Sequence, residues 1–372
     1  MMTPLRVTLV LPDYRPEPIG GYRVVYEYAD FLARRGHEVN IVYMRGPRPD
    51  DGSWSPVEFL KRWLWALRIR LLHRPLVSWH RFNPRIRLRL VPNFTDANLS
   101  DADAIVATGW QTAAPVAALG AKKGAKFYLI QHYETWAGPK EAVDATWRLP
   151  LFKIVISKWL ADVGAQLGAS NIQHIPNGID FGKFLITEPP AQRPMSIVSM
   201  YHIQKMKGVP DALAVLTMFH QKYPDVPVTM FGAMARGAEV PDWITYYQNP
   251  DQDFLVREIY NKHAVYLGAS REEGWALPPA EAMACGCVFV GTDIGGFRDY
   301  ATDRDTALLS APGDRAKMLA NLIAVTDDVE LRRAIQERGT NNIRQFTWER
   351  AGSSLEEYLL RHAKPQAKAS TA

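Results

Sequence analysis

Short runs of apolar residues alternate with segments of helical period along most of the chain. Between the first two of these runs, apolar positions recur at the spacing of one helix face from Tyr22 to Arg35, and Gly36 follows as a stop signal. This alternation predicts a parallel sheet with helices on both faces. The candidate strands of the first half are Val7–Leu11, Glu38–Tyr43, Ala104–Ala107, Lys126–Gln131 and Leu151–Ser157.

The alternation pauses near residue 180 and then resumes. Proline and polar residues are concentrated in 187–194, where we place the linker. The later candidate strands are Ser196–Met200, Val228–Phe231, Ile244–Tyr247, Ala264–Gly268 and Val288–Gly291, and the last helical segments are Arg315–Val325, Val329–Asn341 and Trp348–His362. We therefore predict domains at 1–186 and 195–345, a final helix at 346–362 that packs back on the first domain, and a disordered tail at 363–372.

The composition agrees with a two-domain globular chain. Its 372 residues suffice for two domains of roughly 150 residues each. With 47% hydrophobic residues, either half can bury its own core. The two cysteines, Cys285 and Cys287, are too few for a disulfide framework, so we interpret both as small buried residues of a protein in the reducing cytoplasm. No run of 18 apolar residues occurs, and we predict no membrane-spanning helix.

A segment at about 55–92, predicted to be an insert, is strongly basic. Between Val57 and Leu90 there are nine Lys or Arg residues and one acid, Glu58. As a helix, 59–72 would be amphipathic, and it would either lie on an anionic membrane or pack on the first domain with its basic residues solvated. The strict alternation in Arg85–Arg89 is more typical of an edge strand than of a nucleic-acid contact, so we predict no nucleic-acid partner.

The segment from Ser270 to Tyr300 carries the strongest chemical signal. It places Glu273 and Glu281 eight positions apart, across a Gly-x-x-x-Pro-Pro turn that leads into a predicted helix and strand. Two carboxylates can accept several hydroxyl hydrogen bonds, and a helix start favours phosphate. The ligand that fits this pattern is a nucleotide sugar.

Other candidates lie at the ends of predicted strands. Lys207 stands between a strand and a helix, where a cation can stabilise a leaving diphosphate, and Lys205 is the nearest further cation. Gly20 and Gly21 allow close backbone approach to a phosphate at the start of the first helix. A solvated lysine and a simple turn are the respective alternatives.

Two aspartate pairs have the spacing of metal ligands. They are Asp101 with Asp103 and Asp303 with Asp305. The first leads into a strand and the second lies in a turn, so we interpret both as structural and predict no metal site.

Five motifs in order make the chain resemble the family-4 glycosyltransferases over nearly its whole length. They are Ile19–Gly21 with Arg35–Val39, Ile175–Asp180 with Phe184, Glu273 with Glu281, Gly295–Gly296 with Asp299, and Phe346–Trp348. The resemblance implies an α/β fold of GT-B type, with two Rossmann-like doubly wound parallel-sheet domains facing across a cleft. Two positions depart from the family pattern: His202 replaces an arginine, and Asp299 replaces a glutamate.

The resemblance also implies roles for particular residues. Glu273 would face the transferred sugar, Lys207 would meet the leaving diphosphate, and His132 would lie near the reacting centre, although a structural histidine is its alternative. Glu281 would bind the ribose. Trp275 would form an aromatic shelf or belong to the core. The implied donor-binding set is Gly20, Gly21, His202, Lys205, Gly274, Trp275, Ala276, Leu277 and Glu281.

We therefore expect a retaining, metal-independent glycosyltransferase of the hexosyltransferase class, without a cofactor. It would move a sugar from a nucleotide-sugar donor to a glycan or lipid-linked acceptor in bacterial surface polysaccharide assembly. Gln131–Glu134 resembles rhamnosyltransferases of bacterial surface glycans, which favours dTDP-rhamnose as the donor. The expected location is the cytoplasm or the inner face of the cytoplasmic membrane. The alternatives are a nucleotide-sugar epimerase of similar architecture and a catalytically silent binding subunit.

Overall fold

The computed structural model of the protein describes residues 3–15, 17–44 and 76–363. These residues form two compact units. The N-terminal unit comprises the described residues of 1–176 and 348–372, and the C-terminal unit comprises 177–347. The segment predicted as the linker, 187–194, lies within the C-terminal unit.

The N-terminal unit is built on a seven-stranded, all-parallel sheet in the order β3-β2-β1-β4-β5-β6-β7. The strand order reverses between β1 and β4, as in a doubly wound fold. The strands are β1 (Arg6–Leu11), β2 (Glu38–Met44), β3 (Arg87–Val91), β4 (Ala104–Thr108), β5 (Ala125–Ile130), β6 (Phe152–Val155) and β7 (Ile172–His174). The helices are α1 (Gly20–Arg34), α2 (Trp110–Ala117), α3 (Lys140–Trp147) and α4 (Lys158–Gln166).

The C-terminal unit repeats this plan with six parallel strands in the order β10-β9-β8-β11-β12-β13, which reverses between β8 and β11. The strands are β8 (Ile197–Met200), β9 (Val228–Gly232), β10 (Thr245–Gln248), β11 (Val265–Gly268), β12 (Val288–Thr292) and β13 (Leu308–Ser310). The helices are α5 (Val209–Lys222), α6 (Gln252–Phe254, continued by a π-helix at Leu255–Tyr260), α7 (Leu277–Ala284), α8 (Arg315–Asp327) and α9 (Val329–Ile343). These two sheets confirm the predicted α/β class with two doubly wound parallel-sheet domains.

The last helix, α10 (Trp348–His362), belongs to the N-terminal unit and packs on α1. The backbone N–H of Leu5 donates to His37 Nδ1 at 2.9 Å, so the ring proton of a neutral His37 lies on Nε2. That nitrogen donates to buried Glu356 on α10 at 2.9 Å. Gly352 gives α10 its close approach, because an added Cβ would lie 2.3 Å from Phe31 Cγ.

The segment 187–194 is held to the C-terminal unit by buried Arg193. Its guanidinium donates to the carbonyl oxygens of Tyr260, His263 and Cys285, at 3.1, 3.2 and 2.7 Å. It also donates to Asn261 Oδ1 at 2.9 Å. One side chain therefore satisfies several buried acceptors that would otherwise lack a donor.

Most predicted elements agree with the structure to within two residues. Two strands of the structure were missed. The short strands β7 and β13, of three residues each, were not predicted, because three residues are too few to show a period. The predicted edge strand is confirmed, since β3 lies at the margin of its sheet. The predicted amphipathic helix at 59–72 lies outside the described residues.

Both cysteines are buried, as predicted, and burial raises the pKa of the Cys287 thiol to about 12. Among the described helices, none has the length and apolar character needed to cross a bilayer.

Candidate functional site

The two loops that follow β8 and β11 bring Lys207 and Glu273 into direct contact. Lys207 Nζ lies 2.8 Å from Glu273 Oε1 and 2.9 Å from Oε2. Ser270 Oγ donates to Oε1 at 2.8 Å. Both loops leave the carboxyl edge of the sheet where the strand order reverses, the place at which doubly wound folds bind ligands. The ion pair therefore lies where a ligand site is expected.

Close backbone contact fixes these loops against each other. Gly208 has φ +64°, and an added Cβ would lie 1.8 Å from the carbonyl oxygen of Ala269. The N–H of Arg271 donates to the carbonyl of Met206 at 2.7 Å. A Cβ on Gly296 would lie 2.4 Å from the carbonyl oxygen of Glu273. The Lys-Gly and Gly-Gly motifs thus have a packing reason: only glycine allows these backbones to approach.

A second charged cluster supports the same loops. Asp211, in the first turn of α5, is buried and accepts hydrogen bonds from two arginines. Arg271 Nη2 lies 2.7 Å from Oδ2, and Arg315 Nε lies 2.8 Å from Oδ1. The pKa of the Asp211 carboxyl is lowered because the hydrogen bonds and charges of the two arginines outweigh the raising effect of burial, which is its largest single contribution. The cluster fixes Arg271, two residues before Glu273.

The start of α7 supplies few backbone donors. Ala276 caps the helix with φ 48°, a left-handed conformation that is unusual for a residue with a side chain. Leu277 follows, and then Pro278 and Pro279, which have no N–H. The first turn of α7 therefore has fewer N–H groups available to an anion than an ordinary helix start.

Glu281 and Trp275 are both buried beside this turn. Glu281 lies on α7 and is 4% exposed. Trp275 is 1% exposed and packs against Tyr300 and Phe346, with ring centroids 4.8 and 5.6 Å apart. The Trp275 ring thus lies in the core, which was one of its two interpretations, and only its backbone remains for ligand contact.

His202 and Lys205 occupy the loop after β8. The N–H of Gln204 donates to His202 Nδ1 at 3.0 Å, which requires the neutral ring with its proton on Nε2. Burial lowers the pKa of His202, and the charge of Lys207 lowers it further. His202 is therefore neutral at pH 7 and adds no cation to the site. Lys205 is exposed to solvent.

Gly274 is buried next to Glu273 in the C-terminal unit. The other predicted residues lie in the N-terminal unit, at the carboxyl edge of its sheet. Gly20 and Gly21 begin α1, and Gln131 Nε2 donates to the carbonyl of Gly21 at 2.9 Å. His132 is next to Gln131 and lies edge-on to Trp136 and Trp159. The structure therefore brings the glycine pair and the His132 loop together.

The aspartate pairs form ion pairs and hydrogen bonds within the protein. Asp103 pairs with Arg6 at 2.8 Å, and Asp101 pairs with Lys123 at 2.9 Å. Asp303 Oδ1 accepts from the N–H of Leu309 at 2.8 Å, and Asp305 pairs with Arg338. Across residues 3–15, 17–44 and 76–363, no three His, Cys, Asp or Glu side chains are grouped as metal ligands.

Ser270 and the Asp211 cluster were not among the sequence-based candidates. A hydroxyl three residues before Glu273 is a signal that could have been noticed. No sequence signal joins Asp211 to Arg315, which is 104 positions away.

Comparisons with known proteins agree with this geometry. Residues 19–183 match the model "Glycosyltransferase Family 4", and residues 187–342 match "Glycosyl transferases group 1". The glycogen synthase of Mycobacterium tuberculosis is 24% identical over 414 residues, covering 96% of this chain and 94% of that protein. The phosphatidyl-myo-inositol mannosyltransferase of Mycolicibacterium smegmatis is 23% identical over 378 residues, covering 92% of this chain and 90% of that protein.

Solved structures show the same fold. Sucrose-phosphate synthase of Thermosynechococcus elongatus superposes with a TM-score of 0.70 at 16% identity, covering 96% of this chain and 98% of that one. Anabaena HepE, solved in complex with UDP, gives a TM-score of 0.70 at 12% identity, covering 95% of this chain and 99% of that one. The chain thus belongs to the family-4 glycosyltransferases with the GT-B fold, and it is a glycosyltransferase.

Replacing Gly208 with alanine tests how the Lys207 loop is held. Gly208→Ala places a residue with a side chain in a left-handed backbone conformation and brings its Cβ against the backbone of Ala269. We therefore expect it to lower the free energy of unfolding by about 2–4 kcal/mol. Gly313→Ala is the matched control: φ is +83°, but the nearest atom is 4.0 Å from the added Cβ. Urea unfolding of both variants measures the difference, and equal losses would show that the Ala269 contact is unimportant.

Proposed function

We propose that the protein transfers a sugar from a nucleotide-sugar donor to a glycan or lipid-linked acceptor, with retention of anomeric configuration. The proposed setting is the assembly of bacterial surface polysaccharide. The observation that carries the proposal is the Lys207–Glu273 contact at the point where the C-terminal strand order reverses. A positive group is held there by a carboxylate that is itself 7% exposed.

Lys207 acts on the leaving group in this proposal. As the bond between the sugar and the diphosphate breaks, negative charge grows on the diphosphate, and a fixed ammonium group lowers the energy of that state. Glu273 and Ser270 hold the Lys207 loop ready before the donor binds, so little reorganisation is needed. His202 is neutral and leaves Lys207 as the main cation of this loop. We propose that the charge is met without a metal ion.

The carboxylates bind hydroxyl groups in this proposal. Glu281 accepts two hydrogen bonds from the ribose, and Glu273 faces the transferred sugar. His132 contacts the sugar or positions the acceptor. Retention follows a front-face route, in which the leaving phosphate takes the proton of the acceptor hydroxyl. These roles extend the family resemblance to the residues present here.

The donor base contacts the turn after β10. Asn249 donates its N–H to the carbonyl of Gly232 at 2.6 Å, and Asp251 caps α6 by accepting from the N–H of Phe254. This turn stands beside the end of β9 and presents backbone groups at the ligand edge. Two donors have specific support: dTDP-rhamnose from the Gln131–Glu134 resemblance, and UDP-glucose from the structural neighbour HepE, which was solved with that ligand.

The epimerase alternative is set aside by the family assignment. A silent binding subunit differs from the proposed enzyme in one respect that can be measured. It would bind a donor without hydrolysing it when acceptor is absent.

Lys207→Ala removes the proposed leaving-group cation. We expect kcat to fall about 10²- to 10³-fold, because the lost interaction is made mainly in the transition state. Steady-state rates of donor hydrolysis or transfer, measured in EDTA, give this value. Lys222→Ala, the change of an exposed lysine at the end of α5 and outside the proposed set, is the control and should stay close to the wild-type rate. Equal effects of the two changes would place the leaving group elsewhere.

Glu281→Ala removes the proposed ribose ligand. A thermal-shift screen with dTDP-rhamnose, UDP-glucose, GDP-mannose and ADP-glucose identifies the donor, and calorimetry then measures its dissociation constant. Loss of hydrogen bonds to a carboxylate should raise that constant about 10- to 100-fold. Glu272→Ala, the change of a neighbouring acid outside the proposed set, is the control. An unchanged constant for Glu281→Ala would remove the ribose assignment.

A membrane partner is a further part of the proposal. Arg85, Arg87 and Arg89 are exposed, and the latter two lie on the edge strand β3. Co-sedimentation with anionic and neutral vesicles tests the contact. We expect binding to the anionic vesicles alone, weakened by salt and by replacing the three arginines with serine. Equal binding to both lipids would contradict it.

A further inference from the structure

Trp136 is unusual among the aromatic side chains of the protein. It is 57% exposed, whereas every other Trp, Tyr or Phe that the structure describes is buried or half-buried. Exposing a large indole to water is unfavourable, and such residues are enriched where another molecule binds. Trp136 follows β5 on the carboxyl edge of the N-terminal sheet, which is the ligand-binding edge of such folds.

The loop that carries Trp136 is held firmly on both sides. The N–H of Trp110, at the start of α2, donates to Glu134 Oε2 at 2.7 Å, and the N–H of Ala137 donates to the carbonyl of Glu134 at 2.9 Å. Gly138 lies against the Trp110 ring, because an added Cβ would lie 2.3 Å from Cζ2. The exposed indole is therefore presented by an ordered loop, which reduces the entropy cost of binding.

His132 contacts both Trp136 and a second indole, Trp159. His132 is perpendicular to Trp136 at a centroid distance of 6.3 Å, and perpendicular to Trp159 at 6.1 Å. Both indoles thus contact the same histidine, at the ends of the neighbouring strands β5 and β6. The charged groups beside them are engaged: Glu134 accepts from Trp110, and Lys140 pairs with Asp144. This surface suits an uncharged ligand with an apolar face better than a phosphate.

We propose that Trp136 is the platform for the acceptor: its indole contacts the C–H face of a pyranose ring, whose hydroxyl groups remain free for His132 and water. This inference rests on the proposed function, because a saccharide acceptor is part of it. Trp136 then determines acceptor choice and does not take part in donor binding. A pyranose with several C–H groups on one face is the ligand class.

The test uses full-length protein with Trp136 changed to Ala, Leu or Phe. UDP-glucose, GDP-mannose, dTDP-rhamnose and ADP-glucose are supplied together, with alkyl glycosides of rhamnose, mannose, glucose, galactose and N-acetylglucosamine as acceptors. The readouts are acceptor KM and the ratio of transfer to donor hydrolysis. Leu185→Ala is the control, since that side chain is 43% exposed and lies in the other unit.

We expect Trp136→Ala and Trp136→Leu to raise acceptor KM about three- to tenfold and to lower the transfer-to-hydrolysis ratio correspondingly, because the contact between the indole and the sugar ring is lost. Trp136→Phe should stay within about twofold of wild type, because a flat ring remains. Leu185→Ala should leave both quantities unchanged.

Three results would overturn the proposal. The first is an unchanged acceptor KM in Trp136→Ala. The second is full retention by Trp136→Leu, which would indicate an apolar contact such as lipid. The third is wild-type hydrolysis of a donor without transfer to any of these saccharides. If wild type neither hydrolyses nor transfers from any of the donors, the proposed function itself fails.

Discussion

The contact between the Lys207 ammonium and the Glu273 carboxylate is the constraint on which the C-terminal unit depends. Both groups are largely withdrawn from water, so each would be costly without the other. The pair is held at 2.8 Å by two loops that leave different strands, and its geometry exists only when β8 and β11 are neighbours. The strand order of the sheet is therefore a condition for the ion pair.

The surrounding structure protects that contact. Gly208 and Gly296 let backbone approach backbone, and Asp211 ties Arg271 to α5 and α8. Tyr300 donates its hydroxyl to the carbonyl of Ala276 at 3.0 Å, which supports the strained residue before α7. Backbone strain of this kind persists only where contacts with the surrounding residues fix the conformation, and it is concentrated at functional sites.

Much of this could be predicted from the sequence. The strand–helix alternation follows from local periodicity, and Lys207, Glu273 and Glu281 stand in recognisable motifs. What could not be predicted depends on tertiary contacts. One of the two arginine partners of Asp211, Arg315, comes from α8, far along the chain. The burial of the Trp275 ring and the neutral state of His202 follow from packing that no local pattern records.

A double-mutant cycle on Lys207 and Glu273 tests the central claim most directly. Lys207→Met, Glu273→Gln and the double variant are compared by kcat/KM for the donor. If the two groups form one functional unit, the double variant is hardly worse than the poorer single one, with a coupling energy of about 1–3 kcal/mol. If the two losses simply multiply, the groups act independently, and the ion pair is not the basis of the site.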